Sequence, residues 1–195
     1  MFPVQEGRAD DVAYVGDVIA SCRGAVCTDE TRSTATGFSG GGRMTSLLGC
    51  RLGSAHRGHR AGVRARFPGP CNGRRVPVLT FHGLADPQNP YDGHAEGRGA
   101  GVASRASPEA LAGWARHNSC KGDVMLDDPP GPLSTMRYEG CADGTEVRDD
   151  SHRRSLAMRG QGKEVDTNRC HVAIFQEPSP ESITSFIGVA GANAK

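Results

Sequence analysis

Hydrophobic residues along this chain fall into short segments whose period changes from one to the next. Val12, Val15, Val18, Ile19 and Cys22 recur at helical spacing behind Asp10 and Asp11. Such an acidic pair suits an N-cap and the positive end of the helix dipole, so a helix is predicted over about 11–22. The Thr-rich end of TDETRSTATGF reads as a short strand running into glycines. Met44, Leu47, Leu48 and Leu52 then stand at i, i+3, i+4 and i+8, which places a helix from near Gly41 with that stripe buried. The predicted order is strand, tight glycine turn, helix.

Residues 51–70 are rich in Arg and His and have no apolar period, so no core strand is expected there. VPVLTFHG (76–83) is a compact apolar run ending in Gly, the pattern of a buried strand in an α/β sheet. The loop LADPQNPYDGHAEGRGAG follows. Ser107 and Pro108 suit the N-cap and first turn of a helix bearing Leu111, Trp114 and Ala115. LDDPPGPLS is a turn-rich connector and STMRYEG a strand. From Asp149 to Lys163 the chain is polar and aperiodic. A last helix is predicted from about Asp166, carrying Val172, Ile174 and Phe175, before a poorly ordered tail at 178–195. Residues 1–177 thus read as a single α/β domain.

Composition changes the picture in three places. A formal net charge of +1 gives no overall field to attract nucleic acid or an acidic membrane surface. No stretch approaches the roughly 20 apolar residues of a membrane-spanning helix, so neither partner is expected. The chain has 27 glycines, roughly twice the usual share, and 36% hydrophobic residues, which implies many loops and a sparse core. Its seven cysteines form no CxxC pair, which disfavours a zinc ribbon and favours disulfides in an oxidising compartment. The opening MFPVQEGRADD lacks the basic-then-apolar order of a secretory signal, so export would need another route or a beginning outside these residues. No metal or cofactor is implied.

The strongest chemical signal is Gly37-Phe38-Ser39-Gly40-Gly41, which fits G-x-S-x-G in the strand-to-helix context that a nucleophile elbow needs. Small residues two before and two after the serine avoid backbone collision in a strained turn. The N–H of Gly40 at the helix start is an oxyanion donor candidate. A phosphate loop fails on the same letters, because Arg43-Met44 stands where Lys and Ser or Thr are required.

A serine nucleophile needs an acid and a base, in the chain order Ser, Asp, His for an α/β-hydrolase. Asp86 lies just past the VPVLTFHG strand and is the candidate acid; Asp92 in the same loop is the alternative. Among His94, His117, His152 and His171, the selected base is His152, in a loop after the last strand, while His117 and His171 read as surface or packing residues on helices. The Arg/His run at 51–66 has no interleaved aromatics to stack on bases and reads as a solvated loop.

DDVAYVGDVIAS, CTDETRSTATGFSGGGRMTSLLGCRL, RFPGPCNGRRVPVLTFHGLADPQNPYDGHAEGRGA, SPEALAGWARHNSC and MRYEGCADGTEV together resemble the esterase / polyhydroxybutyrate depolymerase family, in particular its fungal feruloyl esterases of the C kind. GFSxGG combined with FHGxAD and a following PYDG is far more specific than G-x-S-x-G alone. The resemblance implies an α/β-hydrolase-like fold, a mostly parallel sheet with flanking helices. It also implies strands before the elbow and an apolar strand between Leu52 and Phe67, so the sheet is expected to be truncated at its N-terminal side and disrupted in places, the similarity lapsing around 53–65 and 149–163. It implies a secreted serine esterase with Ser39 as nucleophile, Asp86 as acid and a Cys120–Cys141 disulfide. Its substrates would be hydroxycinnamoyl (ferulate) esters of arabinoxylan in plant cell walls. The alternatives are an acetylxylan esterase, a polyhydroxybutyrate depolymerase, or an inactive hydrolase fragment that at most binds polysaccharide.

Overall fold

The computed structural model describes residues 10–25, 34–38, 40–53, 58–62, 66–87, 89–93, 107–153, 171–176 and 185–190, with backbone only for 24–25, 58–62, 171–176 and 185–190. Helix α1 (Asp11–Ala25) starts where Asp10 Oδ1 accepts from the N–H groups of Val12 at 3.0 Å and Ala13 at 3.1 Å. The side chain thereby satisfies donors that the first helical turn cannot. Strand β1 (Thr34–Phe38), helix α2 (Gly40–Arg51), strand β2 (Gly58–Gly62), strand β3 (Val78–Gly83) and helix α3 (Ser107–His117) follow. The chain continues through β4 (Val124–Asp127), β5 (Leu133–Tyr138), β6 (Val147–His152), β7 (His171–Gln176) and β8 (Ser185–Ala190).

These strands form a mixed sheet of order β4-β5-β6-β3-β2-β1-β7-β8. The pairs β1–β2, β2–β3, β3–β6 and β1–β7 are parallel; β4–β5, β5–β6 and β7–β8 are antiparallel. Antiparallel β4 and β5 thus extend a parallel centre on one side, and the β3–β6 pair joins the two parts.

Two apolar clusters hold helices to this sheet. Cys50 of α2, Val76, Val78, Leu111, Trp114 and Val147 are buried together, with Phe67 set edge-on to Trp114 at 5.4 Å. The Trp114 indole N–H, which burial would otherwise leave unpaired, donates to the Arg66 carbonyl at 2.8 Å. Val15, Ala35 and Leu48 form the second cluster, joining α1, β1 and α2. Disulfides link Cys50 to Cys71 and Cys120 to Cys141.

Four local expectations are corrected. Residues 58–62, inside the segment expected as a solvated and disrupted loop, form β2 between β1 and β3. A strand flanked on both edges is held by its neighbours' backbone groups, whatever its own apolar period. Residues 149–152, expected as aperiodic, belong to β6, where Val147, Asp149 and Ser151 are the buried alternates. The period of two is present, but two of its three inward positions are polar and hide it. The predicted last helix is instead β7 over HVAIFQ, since a short apolar run fits a strand as readily as a buried helix. The stretch expected as a tail contains β8, which pairs with β7.

Candidate active site

The C-terminal ends of β1, β2, β3 and β6 lie along one edge of the sheet: Phe38 is level with Gly62, Gly62 with Phe81, and Gly83 with His152. Connections leaving this edge deliver the polar groups, as expected for open α/β sheets.

Only Ser39 separates β1 from α2, and it lies outside the described residues. The flanking glycines are in backbone contact: a Cβ on Gly37 would lie 2.3 Å from both C and O of Gly41 and 2.7 Å from Thr45 Oγ1. No side chain fits there. Thr45 Oγ1 donates to the Gly41 carbonyl at 2.8 Å and Ser46 Oγ to that of Gly42 at 3.0 Å, which ties down the first turn of α2. Gly40 is its first residue, so its N–H has no partner within the helix and lies at the end that favours negative charge.

Asp86 is 6% exposed and follows β3 by a tight turn, its N–H donating to the Gly83 carbonyl at 3.1 Å. Its Oδ1 accepts from Asn89 N–H at 3.0 Å. Asp92, the alternative acid, is exposed. His152 is the last residue of β6, not a loop residue as expected: the strand's alternation extends to it, and its carbonyl accepts Leu84 N–H at 3.0 Å. Asp86 and His152 therefore leave neighbouring parallel strands at the same edge. β1 and β6 stand three strand positions apart in the sheet, about 14 Å at the usual spacing.

The other histidines are placed elsewhere. His117 ends α3 and packs near Trp114 and Phe67, with ring centroids at 5.8 and 6.5 Å. His171 opens β7 level with Thr34, at the opposite edge from the site, and is a strand residue rather than a helical one. His94 lies outside the described residues.

A buried polar cluster beneath the Asp86 loop was missed by sequence reasoning. His82 Nε2 lies 2.8 Å from the Asn89 carbonyl and Nδ1 3.2 Å from Ser107 Oγ, so both ring nitrogens are engaged. Asp149 accepts from Thr80 Oγ1, from Ser151 Oγ and from the Tyr91 hydroxyl, the last at 3.0 Å. Burial, the dominant effect, holds the Asp149 carboxyl above the usual range, against the opposing hydrogen bonds from Ser151, Thr80 and Tyr91. Burial and the adjacent Asp149 also raise the Tyr91 phenol, which keeps its proton at neutral pH. The alternation of Val78, Thr80 and His82 in β3 already carried the signal that His82 points inward.

Among the described residues, no group of His, Cys, Asp and Glu is arranged to hold a metal ion, and no helix is long and apolar enough to cross a membrane.

No family model matches the chain. It is 31% identical over 143 residues to the probable feruloyl esterase C of Aspergillus terreus, covering 71% of this chain and 52% of that protein. It is 29% identical over 145 residues to the feruloyl esterase C of Emericella nidulans, covering 72% and 53%. Against the feruloyl esterase B of Piromyces equi the figures are 29% over 150 residues, 71% and 27%. The chain thus spans about half the length of the C-type relatives it matches. Similarity of this extent, shared with several C-, B- and D-type enzymes, makes the chain a distant homologue of the fungal feruloyl esterases.

Proposed function

We propose that this chain is a secreted serine carboxylesterase of α/β-hydrolase type that cleaves hydroxycinnamoyl esters, such as ferulate on plant cell-wall arabinoxylan. The observation that carries the reading is the backbone contact of Gly37 with Gly41 around position 39, between a parallel strand and a helix N-terminus. This crowding is what a nucleophile elbow requires of its flanking residues. The distant homology supplies the substrate class, and the two disulfides support an oxidising, extracellular setting.

In this reading Ser39 Oγ attacks the ester carbonyl and His152 accepts its proton. The oxyanion is met by the Gly40 N–H and the helix dipole behind it. His152 then protonates the leaving sugar oxygen, Asp86 holds the imidazole in the required tautomer, and water repeats the sequence on the acyl-enzyme. No cofactor takes part.

Labelling with a fluorophosphonate tests the reading directly. Modification at Ser39 that disappears in Ser39→Ala is expected, and a folded chain that stays unlabelled ends it. Because β1 and β6 stand so far apart, the base is tested separately. His152→Gln is expected to lose most turnover, and retained turnover moves the base to another histidine. Preference for methyl ferulate over a short acetate ester supports the feruloyl substrate, whereas the reverse favours an acetylxylan-type enzyme.

A further inference from the structure

The loop after β3 is pinned to the sheet at two points. The Asn89 carbonyl can only accept, so His82 Nε2 carries a hydrogen and donates to it, while Nδ1 lies 3.2 Å from the Ser107 hydroxyl. Asn89 N–H meanwhile donates to Asp86 Oδ1. One residue is thus held by His82 at its carbonyl and holds Asp86 with its amide. At the second point, the Tyr91 hydroxyl reaches Asp149, which also accepts from Thr80 of β3 and Ser151 of β6. The Tyr91 carbonyl accepts Ser107 N–H at 2.8 Å, and its ring stands edge-on to His82 at 5.3 Å. His82, Asn89, Ser107 and Asp149 are all buried, where an unpaired polar group is costly, so the arrangement is held as a unit.

We propose that His82, acting through Asn89, and Asp149, acting through Tyr91, are positioning residues that fix the Asp86 carboxylate at the sheet edge. The inference rests on the reading of Asp86 as the acid of the hydrolytic triad. Neither His82 nor Asp149 touches the reacting atoms. Their effect is on geometry, where a displacement of about 1 Å in a catalytic group can cost on the order of a hundredfold in rate.

Residue-resolved amide exchange and ester hydrolysis by the full chain test this together, using wild type, Tyr91→Phe, His82→Ala and His82→Gln. Exchange at the Asn89 amide is expected to rise about tenfold in Tyr91→Phe and His82→Ala, the effect of losing one buried hydrogen bond. Glutamine at 82 can still donate to the Asn89 carbonyl, so His82→Gln is expected to restore much of the protection. The amides of Val147 and Asp149 in β6 should exchange as in wild type, which separates loop loosening from unfolding. With p-nitrophenyl acetate, kcat is expected to fall in Tyr91→Phe and His82→Ala with KM unchanged, and to recover in part in His82→Gln. Unchanged exchange at Asn89 overturns the proposal, as does loosened exchange with kcat intact. If wild type hydrolyses nothing while Asn89 responds as expected, the anchoring of Asp86 stands and the hydrolase reading falls.

Discussion

At the scale of single residues, Gly37 and Asp149 give the sharpest expectations. A methyl group at Gly37 would collide with the Gly41 backbone, which cannot rotate away as a side chain can. Gly37→Ala is therefore expected to destabilise by about 2–3 kcal/mol in urea unfolding and to abolish fluorophosphonate labelling. Asp149 acts through its proton. The folded chain binds that proton more tightly than the unfolded chain, because burial raises the carboxyl above its ordinary value. The stability it contributes is fully present below the unfolded pKa of about 3.9 and is lost as pH rises through the raised folded value. Asp149→Asn should accordingly gain stability relative to wild type as pH rises from the acid range to neutrality, read as the difference in urea midpoints; a difference independent of pH refutes it. Gly37 was legible from the letters, since a glycine two before a serine at a strand-to-helix turn has a stated steric purpose. Asp149 was not, because a carboxylate reads as solvated until its neighbours are known.

At the scale of elements, α1, α2 and α3 were legible because their apolar spacings, and the Asp10 cap of α1, are local, although Ser107, expected as the cap of α3, is its first residue and turns its hydroxyl to His82. Asp10 caps α1 with its own side chain, and Leu48 and Leu111 are buried where their periods put them. The central and C-terminal strands behaved differently. β2 and β7 gain their backbone partners from segments distant in sequence, and β6 carries polar residues inward. Covalent links between elements also escaped the cysteine count, which left the partner of Cys50 open. Its disulfide with Cys71 spans 21 residues and ties the end of α2 to the segment leading into β3. A loop of that size predicts a loss of about 3 kcal/mol when Cys50 and Cys71 are both replaced by Ala, read in denaturant unfolding with Cys120–Cys141 intact. Trp114→Ala, which empties the centre of the larger cluster, is expected to cost about 3–5 kcal/mol.

At the scale of the whole molecule, the proposed site depends on strand order. Positions 39, 86 and 152 are far apart in sequence, yet they follow or end strands β1, β3 and β6, whose C-terminal ends share one edge. Residues acting as one catalytic unit are non-additive. Ser39→Ala and the double variant Ser39→Ala/Asp86→Asn are thus expected to show the same residual hydrolysis of p-nitrophenyl acetate, and a further large drop in the double variant would show Asp86 acting alone. The sequence by itself determined what depends on near neighbours: the three helices and the Asp10 cap, the β3 strand, the glycine-crowded turn and the likeness to feruloyl esterases. Only the tertiary structure decided which strands lie side by side, that His82 and Asp149 are buried beneath the Asp86 loop, and that Cys50 meets Cys71. The physical reason is range: caps, periods and turn sterics act over a few residues, whereas parallel strand pairing and burial are set by chain segments that meet only in the folded sheet.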